Sequence, residues 1–166
     1  MMNTRFKLPT LLDFPNPVNE KAARVVALAV MLLALLTLAT EWYWLLVPLA
    51  YGFLARVASG PTLSPLGRLA SDVIAPRLGA AKPVPGPPKR FAQGLGAAIS
   101  LAAAIAALGF GDDALATVLL AALVLASGLE SIFALCLGCQ AFALLMRVGL
   151  VPRRVCLECA DIWARG

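Results

Sequence analysis

The chain contains no histidine. It therefore lacks the one side chain whose ordinary pKa suits proton transfer near neutrality and which most often binds metals. Charged residues are also scarce, at 14% of 166, and few acidic groups fall outside the expected loops. Chemistry built on paired carboxylates is correspondingly poorly supplied. The first 20 residues have neither a continuous apolar stretch nor a small-residue cleavage site, so no secretory signal is expected and the amino terminus reads as a short cytosolic arm. What remains is apolar: 61% of residues are hydrophobic and the mean hydropathy is +0.86. Such a composition cannot be solvated as a globular surface, and it implies an integral membrane protein.

Apolar runs of the length that crosses a hydrocarbon core, roughly 20 residues as a helix, recur along the chain. The first expected span covers 22–40, entered through Asn16 and Pro17 as cap and first helical residue. Trp42, Tyr43 and Trp44 form an interfacial aromatic cluster, and a second span follows over 42–58. Pro48 and Gly52 predict a kink there, with Arg56 snorkelling toward the interface. Ser64 before Pro65 predicts a capped amphipathic helix over 65–75, with Leu66, Leu69, Ala70, Val73 and Ile74 on one face. Residues 82–89 read as an extended proline-rich spacer. A third span, rich in Gly and Ala, covers 91–110, and apolar sequence resumes over 114–146.

The 14 basic residues fall in three groups. Four lie before or at the entry to the first span (Arg5, Lys7, Lys21 and Arg24), six lie from Arg56 to Arg90 and four follow Met146, whereas the short turns carry only Glu41, Asp112 and Asp113. The rule that basic loops stay inside predicts cytoplasmic termini. It also accounts for the pI of 9.4 without nucleic acid, which is not expected as a partner. The predicted architecture is all-α and polytopic: one membrane domain over 1–149 with four transmembrane helices as two antiparallel hairpins, a cytoplasmic interfacial helix, and a cytoplasmic tail over 150–166. The expected location is the plasma membrane.

Two cysteine pairs carry the chemistry, Cys136 with Cys139 and Cys156 with Cys159. The segment 114–146 would be about 50 Å long as one helix, some 20 Å more than the core needs. Breaks are expected at Ser127-Gly128 or Gly138, with the excess emerging as a helical extension. Cys136 and Cys139 share a helix face, and a disulfide between them would be strained in an unbroken helix. They are the candidate catalytic residues for thiol-disulfide or sulfur-relay chemistry with a thioredoxin-like or sulfur-carrier partner. The spacing of all four cysteines also matches a four-thiolate site, giving the alternative of a zinc ion or an iron–sulfur centre on Cys136, Cys139, Cys156 and Cys159. A structural subunit with inert cysteines, interacting through its small-residue third span and its cytoplasmic amphipathic helix, is the third reading; a homo-oligomer is a separate partner expectation. Glu130, within the hydrocarbon, is expected to pair with Ser127, Ser131 or Thr37, or to mark a proton path. On a straight helix it lies opposite Cys139. Gln140 can hydrogen-bond a thiolate.

The segments Asn19-Glu20-Lys21-Ala22-Ala23-Arg24, Pro76-Arg77-Leu78-Gly79, Arg90-Phe91-Ala92-Gln93-Gly94 and Cys136-Leu137-Gly138-Cys139-Gln140 together resemble domain-of-unknown-function family 4395. This is a set of small bacterial membrane proteins frequent in actinobacteria, and the resemblance covers roughly 18–147. It implies about four spans and a paired-cysteine motif in the last, often followed by glutamate where this chain has Gln140. The second pair lies beyond the resemblance.

Overall fold

Asn19 ends a two-residue strand and starts the first long helix. In the computed structural model, which describes residues 14–152 and 155–156, β1 (Val18–Asn19) pairs antiparallel with β2 (Pro83–Val84), Val18 opposite Val84. The Asn19 side chain then accepts a hydrogen bond from the Lys21 amide at 3.1 Å, capping α1 (Glu20–Thr40). The cap is therefore Asn19 rather than Asn16. The Asn16 side chain is engaged elsewhere, accepting from the Gly86 amide at 3.0 Å.

Glu41 adopts a left-handed conformation and ends α1. A 3-10 turn over Tyr43–Leu45 leads into α2 (Leu46–Ser59). The chain continues through α3 (Pro65–Arg68), a π-helical stretch over Leu69–Ile74 and α4 (Ala75–Arg77). Ser64 caps α3 by accepting from the Gly67 amide at 3.1 Å. This composite helix packs on α1 and α2 through Gly67, Ala70 and Ala75, while Leu69 and Val73 stay exposed. Helix α5 (Gly86–Ala104) begins within the proline-rich stretch, because Pro87 and Pro88 occupy its first turn, where no amide hydrogen bond is lost. It continues as a π-helix over Ile105–Phe110 and is followed by α6 (Asp113–Phe133), capped by Asp112, and α7 (Leu137–Arg147).

Three of these helices, Glu20–Thr40, Gly86–Phe110 and Asp113–Phe133, are long and apolar enough to cross a membrane. This corrects the expectation of four spans arranged as two hairpins. Helix α2 has 14 residues, about 21 Å at 1.5 Å per residue and short of the hydrocarbon thickness. The last apolar segment is divided between α6 and the 11-residue α7. The two most extensive pairs are not between sequence neighbours, although α5 and the following α6 also pack together. Helix α1 packs chiefly on α6, and α2 on α5, with α7 docked against α5.

Small residues make this packing close. Ala34, Thr37, Ala103, Ala116 and Ser100 are fully buried around Leu46 and Leu120, as expected where helices associate by contact rather than by exclusion of water. Thr37 and Ser127 satisfy their hydroxyls on their own helices, bonding Leu33 O at 2.8 Å and Leu123 O at 2.6 Å. Gly96 leaves room for the Phe53 ring, which lies where a Cβ would stand.

Basic side chains gather at one end of the bundle, and several close helix termini there. Arg24 donates to Ser131 O and Ile132 O at 3.0 and 3.1 Å, at the end of α6. Arg90 donates to Val57 O at 2.9 Å, near the end of α2. Arg56 does not snorkel outward. It is 5% exposed, stacks over Phe53 at 4.7 Å and donates to Gln93 Oε1 at 2.8 Å.

Candidate functional site

Helix α6 ends at Ala134, whose positive φ of 58° places it in the left-handed region. Neither expected break site is used: Ser127-Gly128 is helical, and Gly138 lies inside α7. At the turn Arg24, from α1, binds the carbonyls of residues 131 and 132 just before it. Leu135 and Cys136 follow as a short non-helical link, and Cys136, extended at φ −88° and ψ 104°, is the N-cap of α7.

This placement changes the chemistry of the pair. The Cys136 sulfur accepts a hydrogen bond from the Cys139 backbone amide at 3.4 Å, as a serine or aspartate cap does. The positive end of the α7 dipole therefore faces it, a setting that favours thiolate over thiol. Both sulfurs are free thiols, Cys136 buried and Cys139 half-buried. The Cys136 pKa is held below the ordinary thiol value, first by a hydrogen bond from the Cys139 thiol and further by the Lys89 charge, against the opposing effect of burial. The Cys139 pKa is pushed up, because its proton is held in that same hydrogen bond and because the group is buried. The two thiols are thus unequal: Cys136 is the one whose pKa is lowered, and Cys139 the one whose pKa is raised.

Beside them lies a charge pair that sequence reasoning missed. Lys89 Nζ meets Glu130 Oε1 at 2.5 Å, joining α5 to α6. Glu130 thus pairs with an ammonium rather than with the expected hydroxyls. Those hydroxyls are bonded to backbone, Ser131 to Gly128 O at 3.1 Å and Thr37 and Ser127 as above. The one available signal for Lys89 was its place at the end of the proline-rich stretch, next to an apolar run that buries whatever lies in its first turn. Gln140 is exposed, on the rim of a cleft of about 370 Å³ that Lys89, Cys136 and Cys139 also line, with Glu20, Pro85 and Pro88 opposite.

Helix α7 is pressed against α5 at one point. A Cβ on Gly138 would stand 2.5 Å from Ala92 Cβ and 2.6 Å from its Cα, so glycine between the cysteines permits the contact that seats the pair beside Lys89.

The second pair is placed differently. Cys156 is disulfide-bonded and buried, packed on Phe142 and Met146 of α7. Cys159 lies outside the described residues. Among the described residues, no group of three or more cysteine, aspartate, glutamate or histidine side chains is arranged to hold a metal ion. The four-cysteine metal reading gains no support there.

The chain matches the family model described as domain of unknown function (DUF4395) over residues 18–147. It belongs to that family. The matched region contains the first cysteine pair, Lys89 and Glu130, and stops before Cys156. No curated protein and no solved structure matches the chain.

Proposed function

We propose that this DUF4395 protein is a multi-pass membrane thiol-disulfide exchanger whose working pair is Cys136 and Cys139. One observation carries the reading: the first cysteine of the pair caps a helix and accepts hydrogen bonds from Cys139, which, with the Lys89 charge, lower its pKa against burial and Glu130, while the pKa of its neighbour is raised. A cysteine serving only as a small apolar filler needs none of these.

The exchange follows from the asymmetry. The Cys136 thiolate attacks one sulfur of a partner disulfide, forming a mixed disulfide and releasing the partner's other sulfur as a thiolate. Cys139 then loses its proton and attacks the Cys136 sulfur. An intramolecular disulfide forms, and the second partner thiolate leaves. In reverse, a partner dithiol reduces the Cys136–Cys139 disulfide. Glu130, whose charge acts on both thiols, takes up and returns the Cys139 proton while Lys89 compensates the charge. The cleft bordered by Glu20, Pro88 and Gln140 is the route by which a thioredoxin-like partner reaches the sulfurs.

The basic end of the bundle, where the thiol pair also lies, supports an orientation with that pair at the cytoplasmic face of a bacterial plasma membrane. A cysteine put in place of Lys82, in a chain lacking the native four, should react with an impermeant maleimide only after the membrane is opened.

The central test is differential alkylation of the purified chain poised at a series of thiol redox potentials. Cys136 and Cys139 should interconvert reversibly as a two-electron couple, and Cys136→Ser should abolish exchange with a small disulfide. A pair that stays reduced across the whole series would leave the cysteines structural.

A further inference from the structure

Cys136 borders a second cavity, which shares no other lining residue with the cleft. This space of about 350 Å³ lies inside the bundle among α1, α5, α6 and α7. Its inner wall is Val26, Val30 and Phe53. Leu95, Ala122 and Leu137 also line it, and all three are exposed on the outer surface of the apolar helices. In a membrane that side is hydrocarbon, so this cavity opens sideways to lipid and not to water. Its polar lining comes from Gln93, Ser127, Glu130 and Cys136, of which Gln93 is bonded to Arg56 and Glu130 to Lys89.

A redox dithiol reached through an apolar mouth has a restricted choice of partner. Charged carriers cannot enter without losing their hydration. The partner must dissolve in lipid, accept two electrons and two protons, and present a flat polar head small enough for a pocket at the lower end of the usual range of roughly 300–1,000 Å³. Those requirements describe a quinone, with its ring inside and its isoprenoid tail passing out between Leu95 and Ala122.

We propose that this cavity binds a lipid-soluble quinone, which the Cys136–Cys139 dithiol reduces to the hydroquinone. The proposal rests on the exchange reading above and supplies its electron acceptor. Cys136 thiolate adds to a ring carbon, forming a C–S bond and moving an electron pair onto a quinone oxygen, which takes a proton. Cys139 gives up its proton through Glu130 and attacks the Cys136 sulfur. The S–S bond forms, the C–S bond breaks with its electron pair returning to the ring, and the second oxygen is protonated. The thiolate–thiol pair has lost two electrons and one proton, and the quinone has gained those two electrons, that proton and a second proton from solvent, the one released when Cys136 ionised. A partner dithiol entering from the cleft then reduces the disulfide, so the pair passes electrons from an aqueous side to a lipid side.

The experiment uses the full chain in lipid nanodiscs, reduced and freed of reductant, with a fully substituted benzoquinone bearing a decyl tail. Two rates are followed: loss of quinone absorbance, and exchange with glutathione disulfide. Wild type should form about one hydroquinone per dithiol, with Cys136 and Cys139 recovered as a disulfide by mass spectrometry. Ala122→Trp and Leu95→Trp, each at an exposed position on the mouth, should slow quinone reduction at least tenfold and leave glutathione exchange within twofold. Normal exchange in wild type without quinone reduction would overturn the quinone proposal and leave the exchange reading standing. Equal quinone rates in wild type and both mouth variants would also overturn it. Loss of both reactions in wild type would remove the exchange reading as well. A variant that misfolds is recognised by its lost glutathione exchange. Protection of Cys136 from alkylation by the corresponding redox-inert dimethoxy analogue then reads occupancy in wild type, and absence of protection counts against the site.

Discussion

Lys89 Nζ and Glu130 Oε1 are 2.5 Å apart, an ion pair between residues 41 positions apart in sequence, formed where α5 begins and α6 ends. Their side chains are 9% and 14% exposed. A pair so far removed from water is costly to break, because the remaining charge stays buried without its partner, at about 3–5 kcal/mol. Lys89→Met and Glu130→Gln should each lower the thermal midpoint in detergent by several degrees. The double variant should recover much of the loss, since no orphaned charge remains. Equal losses in the single and double variants would show that the two side chains stabilise the bundle independently.

The inequality of the two thiols predicts a pH signature. Reactivity toward iodoacetamide follows the thiolate fraction, so Cys136, with its lowered pKa, should begin to react at a lower pH than Cys139, with its raised one. The charged groups acting on the pair are Lys89, which favours the Cys136 thiolate, and Glu130, which opposes it. Cys139→Ala removes the thiol donor and Lys89→Met removes the cation, so each should move the Cys136 profile toward higher pH. Glu130→Gln should move it lower. Peptide mass spectrometry of alkylated protein across a pH series resolves the three shifts, and a profile unmoved by Cys139→Ala would separate the two sulfurs.

Gly138 supports a steric prediction. A methyl group there meets Ala92 Cβ and Cα at 2.5 and 2.6 Å, and the Ala92 backbone cannot yield as a flexible side chain would. Overpacking of this kind costs about 1–3 kcal/mol. Gly138→Ala should therefore lower stability and lift α7 from α5, raising the alkylation rate of Cys136 several-fold. Gly94, whose added Cβ would meet nothing within 4 Å, supplies the control: Gly94→Ala should leave the thiol rates unchanged.

The parts of this arrangement that were legible in the sequence are local. Ser64 before Pro65 signals a cap, and the hydrogen bond it makes lies three residues away. The cysteine spacing marked Cys136 and Cys139 as a pair before any geometry was known. Non-local features were hidden. Nothing near Lys89 names Glu130 as its partner, because that pairing depends on which helices lie side by side. Hydropathy alone counted 42–58 as a span, although a 3-10 turn over Tyr43–Leu45 delays its helix and Arg56 turns inward to Gln93. The break after Phe133 was equally hidden. It falls at an alanine, not at glycine or proline, and two carbonyls just before it are held by Arg24, more than a hundred residues earlier.

That alanine yields the last prediction. At φ 58° the Ala134 Cβ crowds its own carbonyl oxygen, a conformation that costs an L-residue about 1–2 kcal/mol and glycine almost nothing. Ala134→Gly should relieve the strain and still turn the chain so that Cys136 caps α7. Against this, glycine enlarges the conformational freedom of the unfolded chain by an amount worth roughly 0.4–1 kcal/mol, so the net gain should be small and positive, a rise of a few degrees at most. Ala134→Pro cannot adopt positive φ at all. It should abolish the break or the fold, and with it the low pKa of Cys136. A variant set of Gly, Ala, Val and Pro at this position, measured for thermal midpoint and for the pH dependence of Cys136 alkylation, separates the two effects. Stability should fall from Gly through Ala and Val to Pro, while the Cys136 pKa stays low in the first two variants and rises only where the cap is lost. A Cys136 pKa that stayed low in a folded Ala134→Pro variant would mean that the N-cap geometry is not its cause, leaving Lys89 and the Cys139 thiol to account for it.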